Sequence, residues 1–199
     1  MTDKRRAKRR LILETATALF SQRGYQATRM QDIAFQLGMQ AGSLYYYFES
    51  KEALLSAVVE ANVGLAVREL DAIVSGPGTA INRMRAAVAS HLAVFDRQSD
   101  LYKIFVSERL DAIAPELAEA VDELGRAYEQ RWVSLIGEGI ATGELRSDLD
   151  PWLTMKAVVG LCNSTLFWFT SDGRLATADV ADAFSGLVVE GLAAHPELA

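Results

Sequence analysis

TRMQDIAFQLGMQAGSLYYYF, Thr28 to Phe48, reads as two short helices hinged at Gly38, and that reading decides the fold. Met30, Ile33, Ala34 and Leu37 recur at i, i+3, i+4 and i+7, the spacing that lays one apolar stripe along a helix. Thr28 is expected to open this helix, forming a capping box with Gln31 in which the hydroxyl accepts from a first-turn N–H and the amide reaches back. Gly38 closes it, because a residue without a Cβ takes the left-handed conformation at a helix C-terminus freely. The chain then enters a second helix at about Ala41, with small Ala34 permitting a close crossing and Met39 and Leu44 supplying apolar contact. Two helices in that register form a helix-turn-helix, which makes DNA the first partner to consider.

Charge is distributed to match. Residues 1–51 carry nine Lys and Arg against four Asp and Glu, a net +5, while residues 52–199 carry eleven against twenty-two, a net −11. The whole chain is therefore acidic at −6, yet its attractive potential for phosphate sits on one end. Lys4, Arg5, Arg6, Arg9 and Arg10, within KRRAKRR, are expected to form an arm lying along phosphates or reaching into a minor groove. Standing alone, the same run would read as a solvated terminus.

At about 100° per residue, Tyr45, Tyr46 and Tyr47 cannot share one helix face. Tyr46 and Tyr47 are assigned to DNA, chiefly as phenol-to-phosphate contacts, and Tyr45 is expected to pack partly with Leu44 and Phe48. This second helix has no Arg, Asn or Lys for bidentate base readout. Sequence preference then rests on Gln40, Ser43, tyrosine contacts to thymine methyls, and DNA shape.

These residues resemble the TetR (tetracycline-repressor-like) family of transcription regulators, whose recognition segment runs G-[ST]-L-Y-x-[YH]-F before a lysine that opens the fourth helix. The matching positions are Gly42, Ser43, Leu44, Tyr45, Tyr46, Tyr47, Phe48 and Lys51, and the resemblance covers roughly the first quarter of the chain. Gln40 and Ala41 stand where many members carry a small hydroxyl residue and often a lysine; with Thr28 and Lys51 they complete the expected DNA-facing set. The resemblance implies an all-α fold of about nine helices. It also implies a three-helix DNA-binding domain at residues 1–50, and a helical bundle for ligand binding and dimerisation at 51–199.

With half of its 199 residues apolar, the chain can bury roughly 70 % of the surface it exposes when unfolded. No apolar run approaches a membrane span and the basic N-terminus lacks a following apolar segment, so a cytoplasmic setting is expected. Cys162, the sole cysteine, lies among Val158, Val159 and Leu161 and is read as a small buried hydrophobe in preference to a redox sensor.

Ser50 caps a long helix from Lys51 to about Val74, which ends at SGPGT, residues 75–79. Further helices are expected at Ala80–Asp96, Leu101–Ala112, Pro115 to about Ala141, Pro151–Ser171 and Ala178 to about Ala194, with both prolines at first helical positions. The stretch from Pro151 to Thr170 is apolar nearly all round. Such a helix is either central in a bundle or shared with a second subunit. Together with the final helix it suits a four-helix homodimer interface, as the resemblance also implies. A homodimer would hold two recognition helices about 34–36 Å apart on a two-fold symmetric operator.

Tyr102, Phe105, Tyr128, Trp132, Phe167 and Trp168 give the bundle more large aromatics than core packing requires, with His91, Arg109 and Arg131 as polar anchors. Taken singly each is a core residue; as a set they favour a ligand cavity. WVSLIGEGIATGELRSDLDP, Trp132 to Pro151, is similar to family members that answer to hydrophobic or acyl-thioester ligands of lipid and steroid breakdown. The expected function is a repressor released from a palindromic operator by a small hydrophobic or acyl-CoA-type effector. A non-specific DNA-binding structural dimer is the alternative. An enzyme is disfavoured, since two histidines and one cysteine leave few nucleophile–base pairings and no metal-spaced or phosphate-cradling motif appears; no cofactor is expected.

Overall fold

The computed structural model describes residues 3–107, 115–170 and 173–194, with side chains described except at 95, 97–107, 115–118 and 120. Among the described residues it contains nine helices: α1 Asp3–Arg23, α2 Met30–Gln36, α3 Ala41–Tyr45, α4 Lys51–Val74, α5 Ala80–Ser107, α6 Pro115–Ala141, α7 Pro151–Asn163, α8 Thr165–Trp168 and α9 Thr177–Leu192. No strand occurs among them; one isolated bridge joins Leu145 and Ala193. None of the described helices is long and apolar enough to cross a membrane.

The chain divides into two compact units, one of residues up to Leu65 with Gln98–Glu123, the other of Ala66–Arg97 with Leu124 onwards. Packing thus divides the chain within α4, whereas the sequence boundary at residue 50 separates the three N-terminal helices from everything after them.

In the first unit the α2–α3 hinge is a Schellman turn. Gly38 sits at φ +61°, its N–H donates to Phe35 O at 3.0 Å, and the Met39 N–H donates to Ala34 O at 2.9 Å. The core beneath comprises Ile12, Ala16, Phe20, Ile33, Ala34, Leu44, Phe48, Leu54 and Val58, so α1 and α4 each give one face to the helix pair. Thr28 is not the cap of α2. Arg29 holds that position and its N–H donates to the Asp32 carboxylate at 2.8 Å. The Thr28 hydroxyl is instead fully buried and donates to Gly24 O at 2.8 Å, closing the end of α1. Ser50 caps α4 as expected, accepting from the Ala53 N–H at 3.0 Å.

In the second unit Leu70, Met84, Val88, Trp132, Leu135, Ile136, Met155, Val158, Cys162, Val180 and Val188 form the core. Two boundaries differ from expectation. The helices read as Ala80–Asp96 and Leu101–Ala112 are one helix to at least Ser107, because the polar run at 97–100 contains no Gly or Pro to break it; residues 108–112 lie outside the described set. The helix read as Pro151–Ser171 is interrupted at Ser164, whose hydroxyl donates to Leu161 O while that of Thr165 donates to Cys162 O, both at 2.7 Å. Hydroxyls competing for helix carbonyls in this way tighten and break the turn. Cys162 is buried, and burial pushes its thiol up to about 12, so it packs and does not react.

Two glycines near the hinge give a clean contrast, since a Cβ at Gly38 or Gly42 would meet nothing within 4 Å. Gly38→Ala should cost about 1 kcal/mol through its left-handed backbone alone, whereas Gly42→Ala, inside α3, should stabilise by up to about 1 kcal/mol. Urea unfolding of the two variants measures both signs.

Candidate nucleic-acid interface

The residues expected to face DNA separate into exposed and committed groups. On α3 and its cap, Gln40, Ser43, Tyr45 and Tyr46 are exposed, Ala41 and Tyr47 are half-buried, and Leu44 is fully buried. Tyr45 is therefore not the packed tyrosine: it is 45 % exposed and Tyr46 69 %, while Tyr47 leans on the core with its ring edge-on to Tyr46 at 5.5 Å. The helix rotation that buries Leu44 carries residue 47, three positions on, partly inward and leaves residues 45 and 46 outside.

The basic run is not an extended arm. From Asp3 onward it is helical and forms the first turns of α1. Arg6 pairs with Asp3 and Arg10 with Glu14 at 3.6 Å on that helix. Arg5 and Arg9, four residues apart on one face, stand over the rings of Tyr46 and Phe48 at 5.3 and 5.1 Å. One turn of α1 thus sets one guanidinium beside exposed Tyr46 and a second over the Phe48 ring next to it, a surface of cations and phenol suited to phosphate. Arg29, absent from the sequence candidates, is also exposed and sits at the N-terminus of α2, where backbone N–H groups favour an anion. Its signal in the sequence was a lone arginine directly before the apolar stripe.

Lys51 does not point outward. Its ammonium donates to Tyr25 O at 2.8 Å, Thr28 O at 3.0 Å and Gln26 O at 3.4 Å, and lies 4.1 Å from the centre of the Tyr25 ring. Tyr25 is buried and its phenol donates to Glu52 at 3.2 Å. The Glu52 carboxyl is held below its usual range by its own backbone N–H, by Ser50 and by this phenol, with adjacent Lys51 adding to them. Lys51 and the buried Thr28 are accordingly parts of the frame.

The residues expected to hold a ligand are also split. His91, Tyr128 and Trp132 come together in the second unit. His91 is buried, with Nδ1 2.9 Å from the Tyr128 hydroxyl and Nε2 2.9 Å from Asn163 Oδ1. The network fits one tautomer, Nε2–H donating to Asn163 and Nδ1 accepting from Tyr128. Trp132 is fully buried, its ring 6.3 Å from that of His91. Asn163 was missed because an amide on an apolar helix carries no periodic signal. Arg131 faces elsewhere, its Nε donating to Asp71 on α4 at 2.5 Å. Phe167, 84 % exposed, and Trp168, 49 % exposed, lie on the surface rather than with the His91 cluster. Tyr102 and Phe105 belong to α5 but their side chains lie outside the described set, as does Arg109 entirely.

Lys51→Met should lower unfolding free energy by about 1–3 kcal/mol in urea titration, since three carbonyls lose one charged donor. Burial pushes His91 down to about 4, against a partial upward pull from its Asn163 hydrogen bond. Below about pH 6.5 the unfolded chain takes up a proton on this imidazole that the folded chain refuses until about pH 4. Stability should therefore fall through that window, by about 3 kcal/mol in total, and His91→Gln should flatten the fall. Paired urea midpoints at pH 7, 5.5 and 4 measure it.

Comparison with known proteins agrees with the geometry. Residues 12–58 match the family model for bacterial regulatory proteins of the tetR family, and residues 77–192 match the tetracyclin repressor-like C-terminal domain. The transcriptional repressor KstR2 of Rhodococcus jostii is 26% identical over 192 residues, 96% of this chain and 94% of that protein. The fold is shared with the ketosteroid transcriptional regulator KstR2 of Mycobacterium tuberculosis, at TM-score 0.81 and 24% identity over 98% of both chains. It is shared too with AibR, solved in complex with isovaleryl coenzyme A and operator DNA, at TM-score 0.74 and 27% identity over 90% of this chain and 96% of that one. Helix-turn-helix, helical C-terminal domain and both family matches lead to one conclusion: the chain belongs to the TetR family of DNA-binding transcriptional regulators, which are not enzymes.

Proposed function

We propose that the protein is a homodimeric repressor that leaves a two-fold symmetric operator when a small apolar effector, of the acyl-CoA type, enters its second unit. The observation that carries the reading is the stacking of Arg5 on exposed Tyr46, with Arg9 one turn on over Phe48, on one unit, and a polar cluster around buried His91 in an apolar core on the other. AibR, with its isovaleryl coenzyme A and operator DNA, supports effector and operator as partners of one chain of this fold.

Dimerisation is supported by an exposed apolar set on α7 to α9: Trp152, Leu153, Phe167, Trp168 and Leu187, all but Trp168 more than half exposed. Surfaces of this kind mark an interface. In the proposed mechanism α4 is the moving part. It begins at the Lys51 cage and ends where Asp71 is gripped by Arg131, and α6, which supplies Arg131, also carries Tyr128 and Trp132. An effector seated against α6 displaces α4 and alters the separation of the two recognition helices. It does so only by as much as it binds the displaced state better, typically about 1–3 kcal/mol.

The test is fluorescence anisotropy on palindromic DNA selected from random sequence, with native mass spectrometry of the protein alone and with acyl-CoAs. A dimer with a specificity ratio near or above about 10³ supports a regulator, and a ratio near one would favour the structural dimer. Leu187→Glu should yield monomer and lose specific binding by more than about tenfold. Asp71→Asn should keep DNA and effector affinities within about twofold of the parent while weakening effector-induced release. An unchanged release would remove the Asp71–Arg131 pair from the mechanism.

A further inference from the structure

Two buried side-chain polar atoms among the described residues have no hydrogen-bond partner, Arg83 Nε and Trp132 Nε1. They are not equivalent. The Arg83 guanidinium has other donors and uses them on Glu138 and on Val74 O, so one idle N–H is a minor loss. Tryptophan has a single donor, and in a residue of 0 % exposure that donor is left without either protein or solvent. His91 cannot accept from it in the ring plane, because Nδ1 and Nε2 are taken by Tyr128 and Asn163. A phenylalanine here would strand no polar group.

We propose that Trp132 is the polar end of the effector site and that its indole N–H takes an uncharged acceptor, the carbonyl oxygen of a thioester, ester or ketone. This rests on the effector reading above and adds the chemical class of the recognised group. The charge around the indole selects the class. His91 is neutral over the physiological range, since burial pushes it down to about 4, and Arg131, the residue before Trp132 on α6, is paired with Asp71. A carboxylate brought to this N–H would lack a counter-charge in an apolar core, whereas a carbonyl needs only the donor. Access is supported by two features. Tyr128 and Asn163 are only partly buried, so the polar chain runs from the surface to His91, whose ring lies 6.3 Å from that of Trp132, and Gly125, one turn before Tyr128, fronts open space, since a Cβ there would meet nothing within 4 Å. Residues 125, 128 and 132 fall on one face of α6.

The experiment uses the full chain labelled with 15N at its three tryptophans, each indole signal being assigned by substitution with phenylalanine. The probes are octanoyl-CoA, its thioether S-octyl-CoA, which lacks only the carbonyl oxygen, and octanoate. Octanoyl-CoA should move the Trp132 indole proton downfield and bind about tenfold tighter than the thioether; Trp132→Phe should bind both equally. Binding of octanoyl-CoA with the Trp132 signal unmoved, equal affinity of the thioether for the parent, or tighter binding of octanoate would each overturn the assignment. If none of the three binds, the acyl-CoA reading fails on its own account, and cyclohexanone at millimolar concentration then decides the present one. A downfield shift confined to Trp132 upholds it and no shift overturns it.

Discussion

A single ammonium group fixes where the DNA-reading helices stand relative to the start of α4. Lys51 Nζ reaches three carbonyls of the turn between α1 and α2 and lies against the Tyr25 ring, which is itself buried beside Phe20 and bonded to Glu52. Turn carbonyls freed by the end of α1 would otherwise need water, and a charged donor serves several at once at greater strength than a neutral one. Because Lys51 is the first residue of α4, any rotation of that helix pulls on the turn that precedes α2. The buried faces of α1 and α4 do the stabilising; the ammonium sets the register in which they do it.

The second unit is built the opposite way, from apolar bulk with a few paired charges. Arg83, almost wholly buried, is neutralised by Glu138 and also donates to Val74 O at the end of α4, and its guanidinium is raised chiefly by the Glu138 hydrogen bond. Glu144 accepts from the Ile81 N–H at 3.1 Å and so serves the start of α5. Gly139 admits Leu145, whose side chain would lie 2.7 Å from a Cβ there, and Asp150 with Pro151 begins α7. Nearly every conspicuous residue between Trp132 and Pro151 is thus occupied with architecture. The stretch encodes a helix, a turn and a cap, and its one buried side-chain polar atom without a partner is Trp132 Nε1.

The helix-turn-helix was legible in the sequence because its determinants are local. Apolar period, the glycine hinge at φ +61° and Ser50 ahead of Lys51 act within a few residues, and α3 and α4 begin where those signals put them. Misreadings arose where a residue's partner is distant in sequence. Thr28 is a sound cap by type, but Leu19 O and Gly24 O claim its hydroxyl; Lys51 looks like a phosphate contact until the turn carbonyls some 25 positions earlier are in place. Likewise the aromatic residues of the bundle share a helical period whether they face core or solvent. Periodicity alone could not separate buried Trp132 from Phe167 on the surface.

Magnitudes limit how a signal can cross the chain. The Asp71–Arg131 pair is partly exposed on both sides, 49% and 39%, and a pair in that setting contributes at most about 1 kcal/mol. An effector that shifts operator occupancy tenfold needs about 1.4 kcal/mol of differential binding, so this pair can direct the displacement but cannot supply it. The larger reserve lies in the apolar packing of α4, whose Leu54, Leu55 and Val58 belong to one core and Leu70 to the other. Close-packed side chains have discrete arrangements, so each end of α4 shifts with the core that holds it or not at all. In the proposed mechanism the ion pair at one end of α4 and the ammonium at the other set the direction of the motion, and burial makes it cooperative.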